Sequence, residues 1–347
     1  MNPRTFSILA AVTVFAVIAA FISSGRDQTG GPVAGIGGAV FPGLIDKVNT
    51  VAKVVVEHPK GRITLEKSSA GWTLKESDGY AARTVKIQRA ILGLAELRLL
   101  EPKTRIKGKY AKLELQDLGA KDAKSRGVKL FDAKGGLMAD VLVGKGRANL
   151  AGETSSGVYL RRPGDAQSWL AQGDPGITVL KRDWLERKIV NIEAKRIERI
   201  VVRHPDGKMV KMSKADPKAE NFTLDNIPEG KKLIGASGLN DVARGLADLQ
   251  LEGVRKKPFT FDVGTAVDLT ATTFDGLEVR IVTGKKDGPY WMRIDAKVRK
   301  GATGDVVKET REITDRTGAW FYRISDFAAS NLRKTLDALV EDAKPKS

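Results

Sequence analysis

The sequence predicts an α+β protein in which an apolar amino-terminal helix precedes two tandem, internally duplicated modules of mostly antiparallel sheet with packed helices. Three observations carry this expectation. No charge falls between Arg4 and Arg26; a stretch beginning at Val54 is written twice; and short β-branched runs separated by glycine turns alternate with segments of helical period.

From Phe6 to Ile22 nearly every residue is apolar. At 1.5 Å per residue this run spans roughly 26 Å, and its uncharged flanks extend it to about 30 Å, the hydrocarbon thickness of a bilayer. A cleaved signal peptide is the competing reading. The apolar core is longer than a usual signal core, and no small-x-small site follows it, so an uncleaved anchor over residues 1–27 is expected. With the folded mass after the helix, the expected orientation is N-inside and C-outside. In a bacterium that makes a single-pass inner-membrane protein with its modules in the periplasm. Residues 28–43 are glycine-rich and nearly uncharged, the composition of a flexible tether.

The first module is expected over residues 44–172. Val54-Val55-Val56-Glu57-His58-Pro59-Lys60-Gly61 reads as a strand entering a tight turn, with Ile63 and Leu65 alternating on the return strand. Trp72 marks a third strand. Arg83 to Leu100 places apolar residues at mostly helical spacing before Pro102, and Tyr110 to Leu118 suggests a short helix closed by Gly119. Val128–Phe131, Met138–Val143 and Val158–Arg161 read as strands, and Asp165–Ala171 as a closing helical turn. Residues 173–195 form a connector, with a break at Gly173–Gly176 and a helix over Trp184–Ile192.

The second module is expected over 196–340, and the charged tail 341–347 is expected to fray. Ile200-Val201-Val202-Arg203-His204-Pro205-Asp206-Gly207 repeats the opening hairpin, so the chain's two histidines occupy one slot. Gly71-Trp72-Thr73-Leu74 is answered by Asn221-Phe222-Thr223-Leu224, and Gly93-Leu94-Ala95-Glu96-Leu97 by Gly245-Leu246-Ala247-Asp248-Leu249. Gly136 and Gly144-Lys145 are answered at equal spacing by Gly276 and Gly284-Lys285, and Val158–Arg161 finds an echo in Trp320–Arg323. A longer insertion, Lys214–Lys232, separates the strands of this copy from its helix.

The 347 residues hold no cysteine, which excludes disulfides, thiolate metal sites and a thiol nucleophile. The net charge of +17 favours anionic partners without naming one. Five cations follow the first module's helix with no acid among them, Lys103, Arg105, Lys107, Lys109 and Lys112, and Arg255, Lys256 and Lys257 stand at the matching place of the second. These eight form a candidate patch for lipid headgroups, an anionic glycan or an acidic protein. Nucleic acid is not expected, because only Tyr110 interleaves with the cations. His58 and His204 sit before proline in turns, where a turn role explains them better than metal binding or catalysis. The carboxylates Asp78, Asp117, Asp132 and Asp165 are scattered near turns and form no acid/base pair. Gly144-Lys145-Gly146 and Gly284-Lys285 lack the spacing of a phosphate loop and read as hairpin turns. No catalytic residue, cofactor or metal is expected, and the chain reads as a non-enzyme.

The order Trp72-Thr73-Leu74, Tyr80-Ala81-Ala82 leading into a leucine-rich helix, Leu115-x-x-Leu118-Gly119, Val141-Leu142-Val143-Gly144-Lys145 and Val158–Arg161 resembles the DUF4340 family over most of the part after the apolar helix. That resemblance implies a membrane-anchored, non-catalytic extracytoplasmic accessory subunit of an ABC transporter of the gliding-motility type. The alternative is a periplasmic binding module for an anionic envelope polymer or lipid headgroups.

Overall fold

The structure is a computed structural model that describes residues 35–150 and 156–343. The expected anchor, the first part of the expected tether and residues 344–347 lie outside the described residues. Among the described residues no helix is long and apolar enough to cross a membrane.

The first copy contains β1 (Val51–His58), β2 (Gly61–Ser68), β3 (Gly71–Leu74), β4 (Tyr80–Ala81), helix α1 (Thr84–Ala95), β5 (Arg98–Pro102), β6 (Arg126–Asp132), β7 (Leu137–Arg147), β8 (Gly157–Arg161) and β9 (Ser168–Gln172). The second continues with α2 (Lys181–Trp184), β10 (Lys188–Val190), β11 (Ile197–Arg203), β12 (Met209–Ser213), β13 (Thr223–Leu224), β14 (Lys231–Leu233), α3 (Ser237–Arg244), β15 (Leu249–Gln250), β16 (Gly253–Lys256), β17 (Val267–Thr273), β18 (Leu277–Lys285), β19 (Tyr290–Val298), α4 (Gly304–Thr317), β20 (Trp320–Ile324), α5 (Asp326–Leu332) and β21 (Val340–Asp342). The result is α+β, built on antiparallel pairs such as β1–β6 and β8–β9 in the first copy and β11–β17 and β18–β19 in the second.

Sheet order shows the duplication directly. The first sheet runs β4-β3-β2-β1-β6-β7-β8-β9-β5, and the second β13-β12-β11-β17-β18-β19-β20-β16. Four strands are laid down in the first sheet and three in the second; in both the chain then passes through a helix to the far edge, and a four-strand meander fills the space between. Compact packing divides the chain into one unit of Met1–Thr64 with Val85–Val179 and a second of Leu65–Thr84 with Leu180–Ser347.

Within the second unit, the segment 65–84 is fixed by several contacts. Ala82 bridges to Leu185, the Arg83 amide donates to the Trp184 carbonyl, and Tyr80 packs edge-on against Trp320 and Tyr322 with ring centroids 5.0 and 6.1 Å apart. Burial pushes the Tyr80 hydroxyl up to about 12 and raises that of Tyr322 as well.

Several expected elements change in detail. Helix α1 stops at Ala95: Ile87, Ala90, Ile91 and Leu94 follow helical spacing, but Leu97 and Leu99 are buried around exposed Arg98, which is strand alternation. Asp165–Ala171 is not a helical turn, because strand β9 starts at Ser168 and pairs with both β8 and β5. The Trp184–Ile192 helix ends at Trp184 and is followed by β10, which pairs with β15. In place of the helix over 110–118 a 3-10 helix spans Lys107–Leu113. Residues 37–40 of the expected tether lie against β5, with Val40 wholly buried and the Gly37 and Val40 amides bonded to Leu99 and Leu97. Glu341 and Asp342 belong to β21, paired with Lys232 and Lys231.

The echo of Val158–Arg161 is Tyr290–Arg293, not Trp320–Arg323. Leu142 faces Arg161 across β7 and β8 as Val282 faces Arg293 across β18 and β19, two residues before Gly144 and Gly284 respectively. The insertion of α4 after β19 displaces the last strand along the sequence and hides this match.

Candidate functional site

The basic corner of the first unit is built on a segment that leaves edge strand β5 and crosses the sheet. Its underside is apolar: Tyr110, Leu115 and Leu142 form a buried cluster with Leu113, Leu118 and Tyr159 packed on it. Arg161, itself 4% exposed, pins the segment from below. Its guanidinium lies 4.5 Å from the Tyr110 ring centroid, donates to the Leu115 and Asp165 carbonyls, and pairs with Asp117. The Tyr110 hydroxyl donates to the Ala166 carbonyl at 2.6 Å. The Arg161 hydrogen bond holds the Asp117 carboxyl below the usual carboxylate range, with Lys107 adding to the effect.

The crossing takes place at Gly144. It does not lie in a hairpin turn as the sequence suggested; it lies inside β7, and a Cβ there would run into the Leu113 carbonyl oxygen and approach Leu115 Cγ and Cδ2 to 3.0 Å. Glycine is required because the overlying backbone leaves no room for a side chain. Arg126, whose pKa is lowered by burial, donates to the Gly144 and Ile177 carbonyls and ties the crossing point down.

The second copy repeats the device with other residues. Gly284 lies inside β18, and a Cβ there would strike the Phe261 ring, reaching Cγ and Cε2 at 2.9 Å. Phe261 packs against Phe321 at 5.8 Å, and Phe259 against Trp291 and Phe321 at 4.6 and 5.1 Å.

The structure brings acids to two of the five first-unit cations that the sequence had shown without them, and an amide to a third. Lys103 pairs with Glu101, Lys107 pairs with Asp117 at 3.4 Å, and the Arg105 Nε donates to Gln167 Oε1 at 2.8 Å. Among the described residues Lys109 and Lys112 remain as exposed cations with no such partner. In the second unit Arg255, Lys256 and Lys257 are all exposed. Lys256 Nζ stands 5.9 Å from the Trp320 ring centroid, and its amide donates to Asp78 at 3.2 Å. The two groups share a place in their sheets, the edge strand beside the last strand of the meander, but not a geometry.

The histidines share a sequence slot but have different surroundings. His58 Nδ1 accepts the Lys60 amide at 3.2 Å, an ordinary turn role, and its pKa is lowered first by burial and then by Lys60 and Arg126. His204 instead reaches the carboxyl-terminal segment, with Nε2 3.1 Å from the Lys334 carbonyl. Because a carbonyl only accepts, Nε2 carries a proton and donates it there.

His204 thereby lines a cavity of about 730 Å³ in the second unit, together with Lys285, Tyr290, Asp326, Arg333 and Lys334. Arg333 is half-buried and donates to the Thr283 carbonyl and hydroxyl, both at 3.0 Å, and to the Thr265 carbonyl at 2.8 Å. Lys285 Nζ and the Arg333 guanidinium each stand 5.0 Å from the Tyr290 ring centroid. Sequence reasoning missed this group, since its members are spread from position 204 to 334 and the equivalence of the histidines argued for a shared turn role. The one usable signal was Gly284, which marks where loops close over the sheet. Among the described residues no cluster of three or more histidine, aspartate or glutamate side chains is arranged to hold a metal ion.

The family profile described as a domain of unknown function, DUF4340, matches residues 72–271. No curated protein and no solved structure matches the chain.

Proposed function

The chain belongs to the DUF4340 family, and from that premise we propose that it is a non-catalytic, membrane-anchored accessory subunit of a cell-envelope assembly, an ABC-type transporter of the gliding-motility kind. The observation that carries the proposal is the uncharged run from Phe6 to Ile22, long enough to span a bilayer and followed by a duplicated sheet module. Such a chain keeps two related sheet modules close to the membrane, where other membrane proteins are within reach. The proposed location is the bacterial inner membrane, with both copies in the periplasm.

In each copy, buried or half-buried arginines are engaged in holding loops against the sheet. Arg161 and Arg126 do this in the first, Arg333 in the second. That use of cationic side chains suits a scaffold whose loops must keep their shape when another protein docks. Purification in mild detergent tests the proposal. A stoichiometric membrane-protein partner that includes transporter subunits is expected, and recovery of the chain alone from its native membrane would contradict it.

A second reading, a binding module for an anionic glycan or lipid headgroups, is favoured by exposed Lys109 and Lys112 in the first unit and exposed Arg255, Lys256 and Lys257 in the second. Each exposed cation near an anionic membrane contributes at most about 1 kcal/mol. Replacing Lys103, Arg105, Lys107, Lys109 and Lys112 with glutamine should then weaken binding to anionic liposomes; unchanged binding removes this reading.

A further inference from the structure

The cavity beside His204 carries an excess of positive charge that the scaffold role does not use. Its charged side chains are the cations Lys285, Arg333 and Lys334 against the single carboxylate of Asp326, a formal excess of +2. Arg333 is fixed in place by three oxygen acceptors, none of which is charged, so its positive charge is held at the cavity without an acid to balance it. Lys285 is exposed, and it and Arg333 each stand 5.0 Å from the Tyr290 ring centroid, which places the two like charges no more than about 10 Å apart. Like charges at that range repel each other, and a dianion bound between them relieves the repulsion. The volume is within the usual range for small-ligand sites.

We propose that this cavity is a binding site for a phosphate monoester. A dianionic phosphate balances the +2 excess, whereas a single carboxylate leaves it half balanced. The ammonium groups of Lys285 and Lys334 are the direct donors, since both terminal nitrogens of Arg333 are already engaged with protein oxygens. Arg333 acts as the fixed charge at the base. The site does not depend on the accessory-subunit reading, and it stands in the second unit alone.

The phosphate could belong to a soluble ester or to a lipid headgroup such as phosphatidic acid, and the test separates the two. The full chain in detergent micelles is labelled at its two histidine rings, and glycerol 3-phosphate is titrated in. The expected result is a saturable shift of the His204 ring resonances with His58 unmoved. The paired variant Lys285→Gln/Lys334→Gln, altered at a cation exposed on the surface and one partly exposed, should weaken binding at least about tenfold. Arg333→Gln should weaken it as well, with the circular dichroism of each variant recorded to show that it folds. Vesicles of phosphatidylcholine with and without phosphatidic acid then compete against labelled glycerol 3-phosphate. Displacement only by the phosphatidic acid vesicles assigns the site to a headgroup, and no displacement assigns it to a soluble ester. Absence of saturable binding to both probes, equal shifts at His58 and His204, or full binding by a folded Lys285→Gln/Lys334→Gln variant would overturn the proposal.

Discussion

Adding one methyl group at Gly144 should lift the basic crossing segment off its sheet. The new Cβ would overlap the Leu113 carbonyl oxygen and press on Leu115 Cγ and Cδ2 at 3.0 Å, where ordinary contact begins at 3.4 Å. Side-chain ends rotate away from such a clash, but the obstacle here is backbone, so the whole 3-10 helix Lys107–Leu113 has to move. Overpacking typically costs about 1–3 kcal/mol, and a backbone obstacle places Gly144→Ala at the upper end, about 3 kcal/mol. For a unit of this size that corresponds to a fall in melting temperature of roughly 6–12 °C. Gly146 supplies a matched control two residues along the same strand. A Cβ there meets nothing nearer than the Gly157 carbonyl at 3.9 Å, so Gly146→Ala should change stability by less than about 0.5 kcal/mol. Thermal unfolding followed by circular dichroism, with urea titration as a second measure, compares the two. Equal midpoints for both variants would refute the reasoning that the segment rests on Gly144.

Three further outcomes follow from the same geometry. Arg161→Met should cost about 2–4 kcal/mol in urea unfolding, because it strands the Leu115 and Asp165 carbonyls, while Asp117→Asn should cost less than about 1 kcal/mol since Asp117 is half-exposed. His58 should titrate below 6.5 in a nuclear magnetic resonance pH series, with the proton of its neutral ring on Nε2, because Nδ1 accepts the Lys60 amide. A histidine whose folded pKa is depressed binds fewer protons folded than unfolded, so its contribution is present above 6.5 and lost as pH falls below it; the slope of stability between pH 5 and 7 should flatten in His58→Gln. Asp117 has its pKa lowered, so its contribution is present above its ordinary value near 3.8 and lost as acid titrates the folded carboxyl; acid unfolding of Asp117→Asn should show a shallower dependence below that value.

The sequence made the repeated sheet legible because each copy opens with β-branched residues, a proline and a glycine whose left-handed backbone at Gly207 closes the turn. Helix α4 was not legible. Its buried positions Val306, Thr310, Ile313 and Thr317 follow helical spacing, but two of the four are threonines whose hydroxyls bond back to Val306 and Ile313 carbonyls, so an apolar stripe is nearly absent. Missing α4 led to the wrong partner for Val158–Arg161. The connector misled for the opposite reason: Trp184, Leu185, Ile189, Val190 and Ile192 are all buried, and so dense an apolar run fits helix or strand alike.

The candidate site was legible in residue type and obscure in pairing. Lys103 through Lys112 stood out as a run of cations, yet Asp117 belongs to the far side of the crossing segment, which only folding brings beside Lys107. Gly144 and Gly284 were noticed for the wrong reason, since a glycine inside a strand and one in a turn look alike in sequence. The cavity beside His204 was invisible because its cations come from β18 and from the segment after α5, 130 residues beyond the histidine itself.

Fusing a reporter after Ser347 tests the central claim, that both copies stand outside the cytoplasm on a membrane anchor. Alkaline phosphatase in that position should be active and green fluorescent protein dark, with the chain retained in the membrane fraction after a carbonate wash. A bright fluorescent fusion with an inactive phosphatase, or release of the chain by the wash, would contradict the claim.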